Sequence, residues 1–284
     1  MAVNPALEAP ENTAERTALW RALHVAADAA PHIIDDAIGL KLLAPEGDWR
    51  ARPDMDAQGT RIFRASIVAR ARFIEDLVIE QAARGVEQYV LLGAGLDSFA
   101  QRRTEIAARL TVYEVDLPGP QAWKRRRLLE AGYGVPAWLK FVPVNFEMQS
   151  WWDRLIESGF DPRKPAVIAS TGVSLYLTQA AIADMLRKIA TLASGSTFAM
   201  TFIMPLEMSD PEERVVFEMA MRGAKASGTP FLSMFTPDQM LTLARDAGLK
   251  NARVVSGGDL AARYFAGRSD GLRPGSESLL IVTI

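Results

Sequence analysis

The sequence contains no cysteine and only two histidines, His24 and His32. The absence of cysteine excludes disulfides, iron–sulfur clusters, cysteine-ligated zinc and a thiol nucleophile. Since both histidines lie near the N-terminus, we expect no histidine-rich metal site and predict no bound metal. No apolar run reaches the roughly 18 residues of a membrane-spanning helix, and residues 1–20 lack the order of a secretory signal. We therefore expect a soluble, cytoplasmic protein that has no membrane partner.

An excess of charge of one sign is also missing, because 32 Lys and Arg residues stand against 34 Asp and Glu residues. Nucleic-acid-binding proteins usually carry a basic excess, so we expect no nucleic-acid partner. The basic run at 124–127 has no interleaved aromatic residues, and it is typical of a solvated helix face. The chain has 284 residues, 49% of them hydrophobic, which suffices for a large buried core. No pattern indicates an oligomeric state.

The N-terminal part of the chain is predicted to be helical. Residues 1–13 are rich in Ala, Pro, Asn and Glu and predict a disordered leader. Thr13 is the expected cap of a first helix that ends near Ala30, and a second helix is expected over 33–43. A long helix is expected over 61–84, because apolar residues recur there at helical spacing.

Beyond this helical part, short apolar runs alternate with amphipathic stretches. The runs cover 88–93, 111–116, 140–145, 166–171, 197–204, 253–256 and 278–284. Helices are expected between them, over 98–109, 119–131, 148–158, 179–193, 212–227 and 237–247. Strands separated by helices require crossover connections, so the pattern predicts an α/β fold with a doubly wound, mostly parallel seven-stranded sheet. We expect one domain over 14–284, divided into a helical cap and lead-in helix (14–84) and an α/β core (85–284).

The strongest local motif is a glycine pair between the first predicted strand and the next helix. Gly93 and Gly95 would let the backbone turn tightly and let a ligand approach the start of a helix. Ser98 stands where a dinucleotide fingerprint has its third glycine, and Asp97 would repel a pyrophosphate. Asp97 suits a ligand with a cationic end, such as the sulfonium of S-adenosylmethionine. Either Asp97 or Ser98 could also cap the next helix, and the two interpretations are compatible.

A second motif lies about 20 residues later, at the end of the next predicted strand. An acidic residue in that position can accept hydrogen bonds from the hydroxyl groups of a ribose. Glu114 and Asp116 are two residues apart, so both side chains leave the strand on the same side. Asp116 lies nearer the carboxyl end of the strand, where ligands of open α/β sheets bind. We therefore predict that Asp116 holds the ribose.

Taken together, these motifs resemble those of class I S-adenosylmethionine-dependent methyltransferases. More narrowly, the chain resembles the leucine carboxyl methyltransferase-like O-methyltransferase family over nearly its whole length. The segments that carry the resemblance are ARARFIED (69–76), YVLLGAGLDSFAQR (89–102), VYEVDLPGPQAWKRR (112–126) and FDPRKPAVIASTGVSLYLT (160–178). The resemblance implies a Rossmann-like fold and S-adenosyl-L-methionine as the cofactor.

The resemblance also implies roles for particular residues. Arg70 would pair with the methionyl carboxylate of the cofactor, Gly93 and Gly95 would pass close to its methionine part, and Asp116 would hold its ribose. Related proteins often carry Asp-Leu at the adenine.

This chain departs from the family in two places. It has Asn145 and Phe146 at the adenine position, and these can still accept a hydrogen bond from the adenine amino group and pack on its ring. Relatives carry an acidic residue after the fourth strand that would pair with the methionyl ammonium. Thr171 stands there in this chain and can only donate or accept a hydrogen bond.

The reaction implied is transfer of a methyl group to an acceptor. An ionised carboxylate needs no general base, whereas a hydroxyl acceptor profits from one. The candidates for that base are His24, His32, Tyr176 and Tyr264. The two histidines are somewhat favoured, because a helical N-terminal extension commonly closes over a small substrate.

Three functions are compatible with the sequence. The first is an O-methyltransferase that acts on a small molecule, including a carboxylate. The second is a protein C-terminal carboxyl methyltransferase. The third is a non-catalytic nucleotide-binding protein that keeps the fold. Binding of the cofactor separates the third from the others, and acceptor assays separate the first two.

Overall fold

The computed structural model describes residues 9–146 and 148–284, so residues 1–8 of the predicted leader lie outside the described residues. The strands are β1 (Gln88–Leu92), β2 (Thr111–Asp116), β3 (Leu139–Pro143), β4 (Ala166–Ser170), β5 (Thr197–Phe202), β6 (Ala252–Val255) and β7 (Ser278–Thr283). The helices are α1 (Asn12–Ala27), α2 (Ile38–Leu43), α3 (Arg61–Ala83), α4 (Phe99–Arg102), α5 (Thr104–Ala107), α6 (Pro118–Glu130), α7 (Trp151–Glu157), α8 (Gln179–Ile189), α9 (Pro211–Ala226), α10 (Pro237–Asp246) and α11 (Gly257–Tyr264).

The seven strands form a single sheet in the order β3-β2-β1-β4-β5-β7-β6. Strands β1 to β5 pair in parallel, and β7 pairs antiparallel with both β5 and β6. The predicted Rossmann-like, mostly parallel seven-stranded sheet is therefore confirmed. From β1 the chain moves outward to β3 and then returns to β4 on the other side of β1. This reversal places a topological switch point between β1 and β4, where ligands of such sheets bind.

Helices cover both faces of the sheet, which explains the continuous apolar runs in the sequence. Every residue of β1, β4 and β5 is buried, as expected for strands that are covered on both sides. One face packs against α3 and α11, and the other packs against α7, α8 and α10. Within the described ranges, no helix combines the length and the apolar character that crossing a membrane requires.

The N-terminal helices differ from those predicted. Helix α1 begins at Asn12 after Glu11 as its N-cap, so Thr13 lies inside its first turn and does not cap it. The second helix is only six residues long, because the side chain of Asp36 accepts a hydrogen bond from the Ile38 amide (3.1 Å) and so fixes a non-helical turn before it. Residues 12 and 13, which were assigned to the predicted leader, are therefore part of helix α1.

Two further differences lie in the α/β core. The helix predicted over 98–109 is broken into the short helices α4 and α5. Helix α11 was not predicted, because two consecutive glycines at its start weaken the helical pattern. A reciprocal capping box between Ser256 and Asp259 compensates for these glycines, with hydrogen bonds of 2.8 and 3.1 Å to the two backbone amides.

The start of α11 allows a direct test of the packing. A Cβ atom on Gly257 would lie 1.8 Å from the carbonyl oxygen of Gly275, whereas a Cβ on Gly258 would lie 3.5 Å from the Ser256 Oγ. We expect Gly257→Ala to lower the free energy of unfolding by at least about 1–3 kcal/mol, the usual cost of overpacking. The control Gly258→Ala should be neutral or stabilising by up to about 1 kcal/mol. Urea unfolding checks both, and equal effects would contradict the observed contact.

Candidate active site

A cavity of about 1050 Å³ opens at the carboxyl ends of β1, β2 and β4. Its wall contains all eight residues that were predicted to hold the cofactor: Arg70, Gly93, Gly95, Asp97, Asp116, Asn145, Phe146 and Thr171. They meet because the ends of neighbouring parallel strands lie along one edge of the sheet, on both sides of the switch point. The sequence motifs, which are spread over about 100 residues, therefore belong to one site.

The glycine turn after β1 brings the backbone into contact with two other elements. Gly93 has a φ angle of +72°, and a Cβ atom there would lie 2.4 Å from the Val173 side chain. Gly95 has a φ angle of +48°, and its amide donates a hydrogen bond of 2.5 Å to the Asp116 carboxylate. Glycine is required at the first position by both conformation and space. The turn thereby exposes backbone at the wall of the cavity.

Asp116 presents its carboxylate at the end of β2. One oxygen accepts the Gly95 amide, and the other accepts the amide of Leu117 at 2.7 Å. Burial raises the pKa of Asp116 above its ordinary value, although these two hydrogen bonds oppose the shift. Each carboxylate oxygen can accept a further hydrogen bond, so the group can still bind a hydroxyl in the cavity.

Glu114 forms a buried ion pair with Lys124 at 2.6 Å. Both side chains are almost fully buried, and Lys124 also donates a hydrogen bond of 2.7 Å to the carbonyl of Asp97. Burial raises the pKa of Glu114 to about 7, although the nearby Lys124 opposes the shift. The prediction of a solvated basic run is wrong at Lys124, whose face of helix α6 packs towards β2, and holds at the exposed Arg125.

Asp97 combines the two interpretations that the sequence left open. Its Oδ1 accepts a hydrogen bond of 2.9 Å from the amide of Phe99, the first residue of α4. Its side chain also belongs to the wall of the cavity. Ser98 makes a different contact, because its hydroxyl donates a hydrogen bond of 2.5 Å to Asp36.

Arg70 lies across the cavity at the end of β4. Its Nη1 atom is 2.6 Å from a carboxylate oxygen of Glu277, and both side chains are mostly buried. A Cβ atom on Gly172 would lie 2.9 Å from Nη2 of Arg70, so the guanidinium lies against the backbone next to Thr171. Glu277, just before β7, thus places a carboxylate near the point where Thr171 replaces the acid of related proteins. No local pattern indicates this contact, since the two residues are 207 positions apart.

The chemistry of the wall fits S-adenosylmethionine. The Ser170 hydroxyl at the end of β4 is fully buried and has no hydrogen-bond partner within the described residues, yet it lies on the wall of the cavity. A buried polar group of this kind is normally satisfied by protein, water or ligand. Carboxylates at Asp97 and Asp116 suit a ligand with cationic and hydroxyl groups, and the Arg70 guanidinium suits its carboxylate.

The two histidines predicted as candidate bases are not among the residues that line this cavity. His24 is fully buried; its Nε2 atom accepts the amide of Ile33 at 2.9 Å, so its Nδ1 donates to Asp28 at 2.8 Å. Although burial opposes the shift, hydrogen bonds from Arg64 and His24 lower the pKa of Asp28 to about 2. His32 contacts Asp35 at 2.9 Å and borders a separate, small pocket. Both histidines therefore have structural contacts.

The two tyrosines predicted as candidate bases differ in their position relative to the cavity. Tyr176 is part of the cavity wall, and its ring packs edge-to-face on Phe231 with the ring centroids 5.7 Å apart. Tyr264 lies outside the wall and donates a hydrogen bond of 2.7 Å to Asp76. Burial and this contact raise the pKa of Tyr264 well above its ordinary value. Of the four candidate bases, Tyr176 is the one that borders the cavity.

The fold and this site define a class of protein. A doubly wound sheet with a glycine turn after β1 and a carboxylate at the end of β2 is the framework of a class I methyltransferase. Residues 14–190 match the model of the family described as leucine carboxyl methyltransferase. The chain belongs to that family.

Known relatives agree with this assignment. Bacillus subtilis YktD, provisionally named as an S-adenosyl-L-methionine-dependent methyltransferase, is 31% identical over 206 residues, which cover 72% of this chain and 67% of YktD. A Mycolicibacterium smegmatis protein with the same kind of name is 33% identical over 190 residues, which are 66% of this chain and 59% of the relative. The predicted class, an S-adenosylmethionine-dependent methyltransferase, is confirmed at this level.

A solved structure supports the fold over the whole chain. The structure provisionally assigned as a methyltransferase from Thermobifida fusca YX has a TM-score of 0.60 and 17% identity, and the match covers 98% of this chain and 97% of that one. At this identity the likeness establishes the shared fold and not a shared substrate.

The buried pair beneath the site can be tested by stability. Lys124→Met would leave the Glu114 carboxylate buried without a cation, so we expect the free energy of unfolding to fall by about 3–5 kcal/mol. The deficit should be larger at pH 8 than at pH 5, because protonation of Glu114 removes the unpaired charge at lower pH. Urea unfolding at both pH values measures this effect.

Arg125→Met is the matched control on the same helix, and this exposed change should stay within about 0.5 kcal/mol. A Lys124→Met variant as stable as the control at pH 8 would contradict the buried pair.

Proposed function

We propose that this chain transfers the methyl group of S-adenosylmethionine to an oxygen atom of a small-molecule acceptor, including a carboxylate. The observation that carries the proposal is one cavity in which the eight predicted cofactor residues form one part of the wall. The rest of the wall includes residues of helices α1, α3 and α8, Tyr176, residues 228–230 and Leu232. One compartment can therefore hold both the methyl donor and a small acceptor.

The proposed donor site uses the carboxyl ends of three strands. Asp116 accepts hydrogen bonds from the ribose, and Arg70 pairs with the methionyl carboxylate. Asn145 and Phe146 contact the adenine, and the turn from Gly93 to Gly95 follows the methionine part. Asp97 and Thr171 provide oxygen atoms near the cationic end. When bound, the cofactor supplies an electrophilic methyl group on a good leaving group, so the residues of this chain contribute proximity and orientation.

The paired charges of the wall disfavour an acceptor that carries several negative charges. Each cation among the described wall residues already has an acidic partner: Arg21 with Asp36, Arg70 with Glu277, Arg102 with Glu75 and Lys188 with Asp184. A phosphorylated or polyanionic acceptor would find none of these cations unpaired. The apolar side chains of Ile67, Ile74 and Leu232 also line the cavity. Its volume is at the upper end of the range of small-molecule sites, about 300–1,000 Å³.

The need for a base depends on the acceptor. An ionised carboxylate can attack without losing a proton, whereas a hydroxyl must transfer its proton during the reaction. Tyr176 is positioned on the wall to accept or orient that proton for a hydroxyl acceptor. The description of the family as a carboxyl methyltransferase favours the carboxylate.

An acceptor assay tests the proposal. Radiolabelled S-adenosylmethionine would be incubated with a library of small carboxylic acids and phenols and, in parallel, with peptides that end in different residues. We expect label in a small acid or phenol. Label only at peptide C-termini would favour a protein carboxyl methyltransferase, and the lack of any cofactor binding would favour a non-catalytic protein.

The role of Arg70 predicts a loss of affinity that depends on the ligand. S-adenosylhomocysteine carries the methionyl carboxylate, and 5′-methylthioadenosine lacks it. A charge-assisted hydrogen bond contributes about 1.5–3 kcal/mol, so Arg70→Ala should lower the affinity for S-adenosylhomocysteine at least tenfold. The affinity for 5′-methylthioadenosine should stay unchanged, as measured by titration calorimetry. An equal loss for both ligands would reduce Arg70 to a structural role.

The role of Asp116 predicts a difference between two nearby carboxylates. Asp116→Ala removes the group that faces the cavity, so the dissociation constant of S-adenosylmethionine should rise at least tenfold. Glu114→Ala removes a carboxylate that is already paired, so it should change the constant less. Calorimetry at matched folded fraction, checked by thermal melting, compares the two. A larger effect of Glu114→Ala would move the ribose contact to that residue.

A further inference from the structure

The first turn of helix α1 is part of the cavity wall beside the glycine turn. Glu11, Thr13 and Ala14 all border the cavity. A Cβ atom on Gly95 would lie 3.3 Å from the Cβ of Ala14, so this turn of the helix packs directly on Gly95. The Gly95 amide is in turn bonded to Asp116. The N-terminal end of α1 is therefore adjacent to the proposed ribose site.

The side chain of Glu11 provides a second carboxylate in the part of the wall next to the proposed ribose site. It is the N-cap residue of α1, but its side chain does not cap the helix. In the described part of the chain, no cation and no hydrogen-bond donor contacts this carboxylate. Both carboxylates belong to residues of the same cavity wall. Desolvation and the negative charge of Asp116 raise the pKa of Glu11.

Two carboxylates on one cavity wall repel each other unless a third group binds between them. A ligand that donates hydrogen bonds to both would remove this repulsion, and a vicinal diol supplies two donors on adjacent carbon atoms. A second polar group at this cavity also lacks a partner: the buried hydroxyl of Ser170, a wall residue, has no hydrogen-bond partner within the described residues, and buried polar groups are normally satisfied by protein, water or ligand. Each carboxylate oxygen of Asp116 already accepts a hydrogen bond from a backbone amide. Within the described residues, both carboxylate oxygens of Glu11 are available to accept hydrogen bonds from a ligand.

We propose that Glu11 binds the ribose diol of the methyl donor together with Asp116, so that the donor ties helix α1 to the edge of the sheet. This inference rests on the proposed function. It assigns to the start of the helical cap a direct part in donor binding.

The test compares two ligands on two variants of the full chain. S-adenosylhomocysteine has the diol, and its 2′,3′-dideoxy analogue lacks it. Glu11→Ala should lower the affinity for S-adenosylhomocysteine at least fivefold and leave the affinity for the dideoxy analogue unchanged, as measured by titration calorimetry. Glu15→Ala is the matched control, because Glu15 is a carboxylate in the same first turn that pairs with Arg52 outside the cavity wall. The control should change neither affinity.

The outcomes separate this inference from the proposed function. If the wild type binds S-adenosylhomocysteine and Glu11→Ala binds it equally well, the inference is overturned and the proposed function stands. An equal loss for both ligands would also overturn it, because that result indicates a structural effect of the helix. If the wild type binds neither ligand, the proposed function fails, and the inference fails with it.

Discussion

The hydrogen bond from the Gly95 amide to the Asp116 carboxylate joins the ends of the neighbouring strands β1 and β2. It fixes the glycine turn in a left-handed conformation and holds the carboxylate at the mouth of the cavity. The same turn is the surface on which Ala14 of helix α1 packs. The contact between the helical cap and the glycine turn and the orientation of the proposed ribose-binding group are therefore linked, and a glycine at position 95 allows the cap to approach this closely.

The helical cap belongs to the core of the site and is not an independent lid. Arg21 of α1 donates hydrogen bonds of 2.6 Å to Asp36 and to the carbonyl of Leu96, so the helix is tied to the glycine loop. Asp36 also accepts from Ser98, at the start of the first core helix. Polar contacts between the cap and the core therefore help to form the wall of the cavity that we propose for both donor and acceptor.

The fold, and the grouping of the eight candidate cofactor residues on one cavity wall, could be predicted because their determinants are local. The strands β1, β4 and β5 appear as continuous apolar runs because helices bury both of their faces. Asp116 could be singled out because it lies at the end of a predicted strand. Contacts between distant segments could not be predicted. Glu277 reaches Arg70 from the far end of the chain, and Lys124 is buried only because Glu114 lies opposite. His24 was a candidate base because the chain has only two histidines. Both of its ring nitrogens form hydrogen bonds within the helical cap, one with Asp28 and one with the Ile33 amide.

The central claim is that the cavity at the switch point binds the methyl donor with its ribose between Asp116 and the start of α1. A crystal structure of the chain with S-adenosylhomocysteine tests it most directly. The account predicts the ribose hydroxyls within hydrogen-bond distance of Asp116, the methionyl carboxylate on Arg70, and the sulfur facing the wall that contains Tyr176. A ligand bound elsewhere, or bound here with its ribose remote from Asp116, would contradict the account.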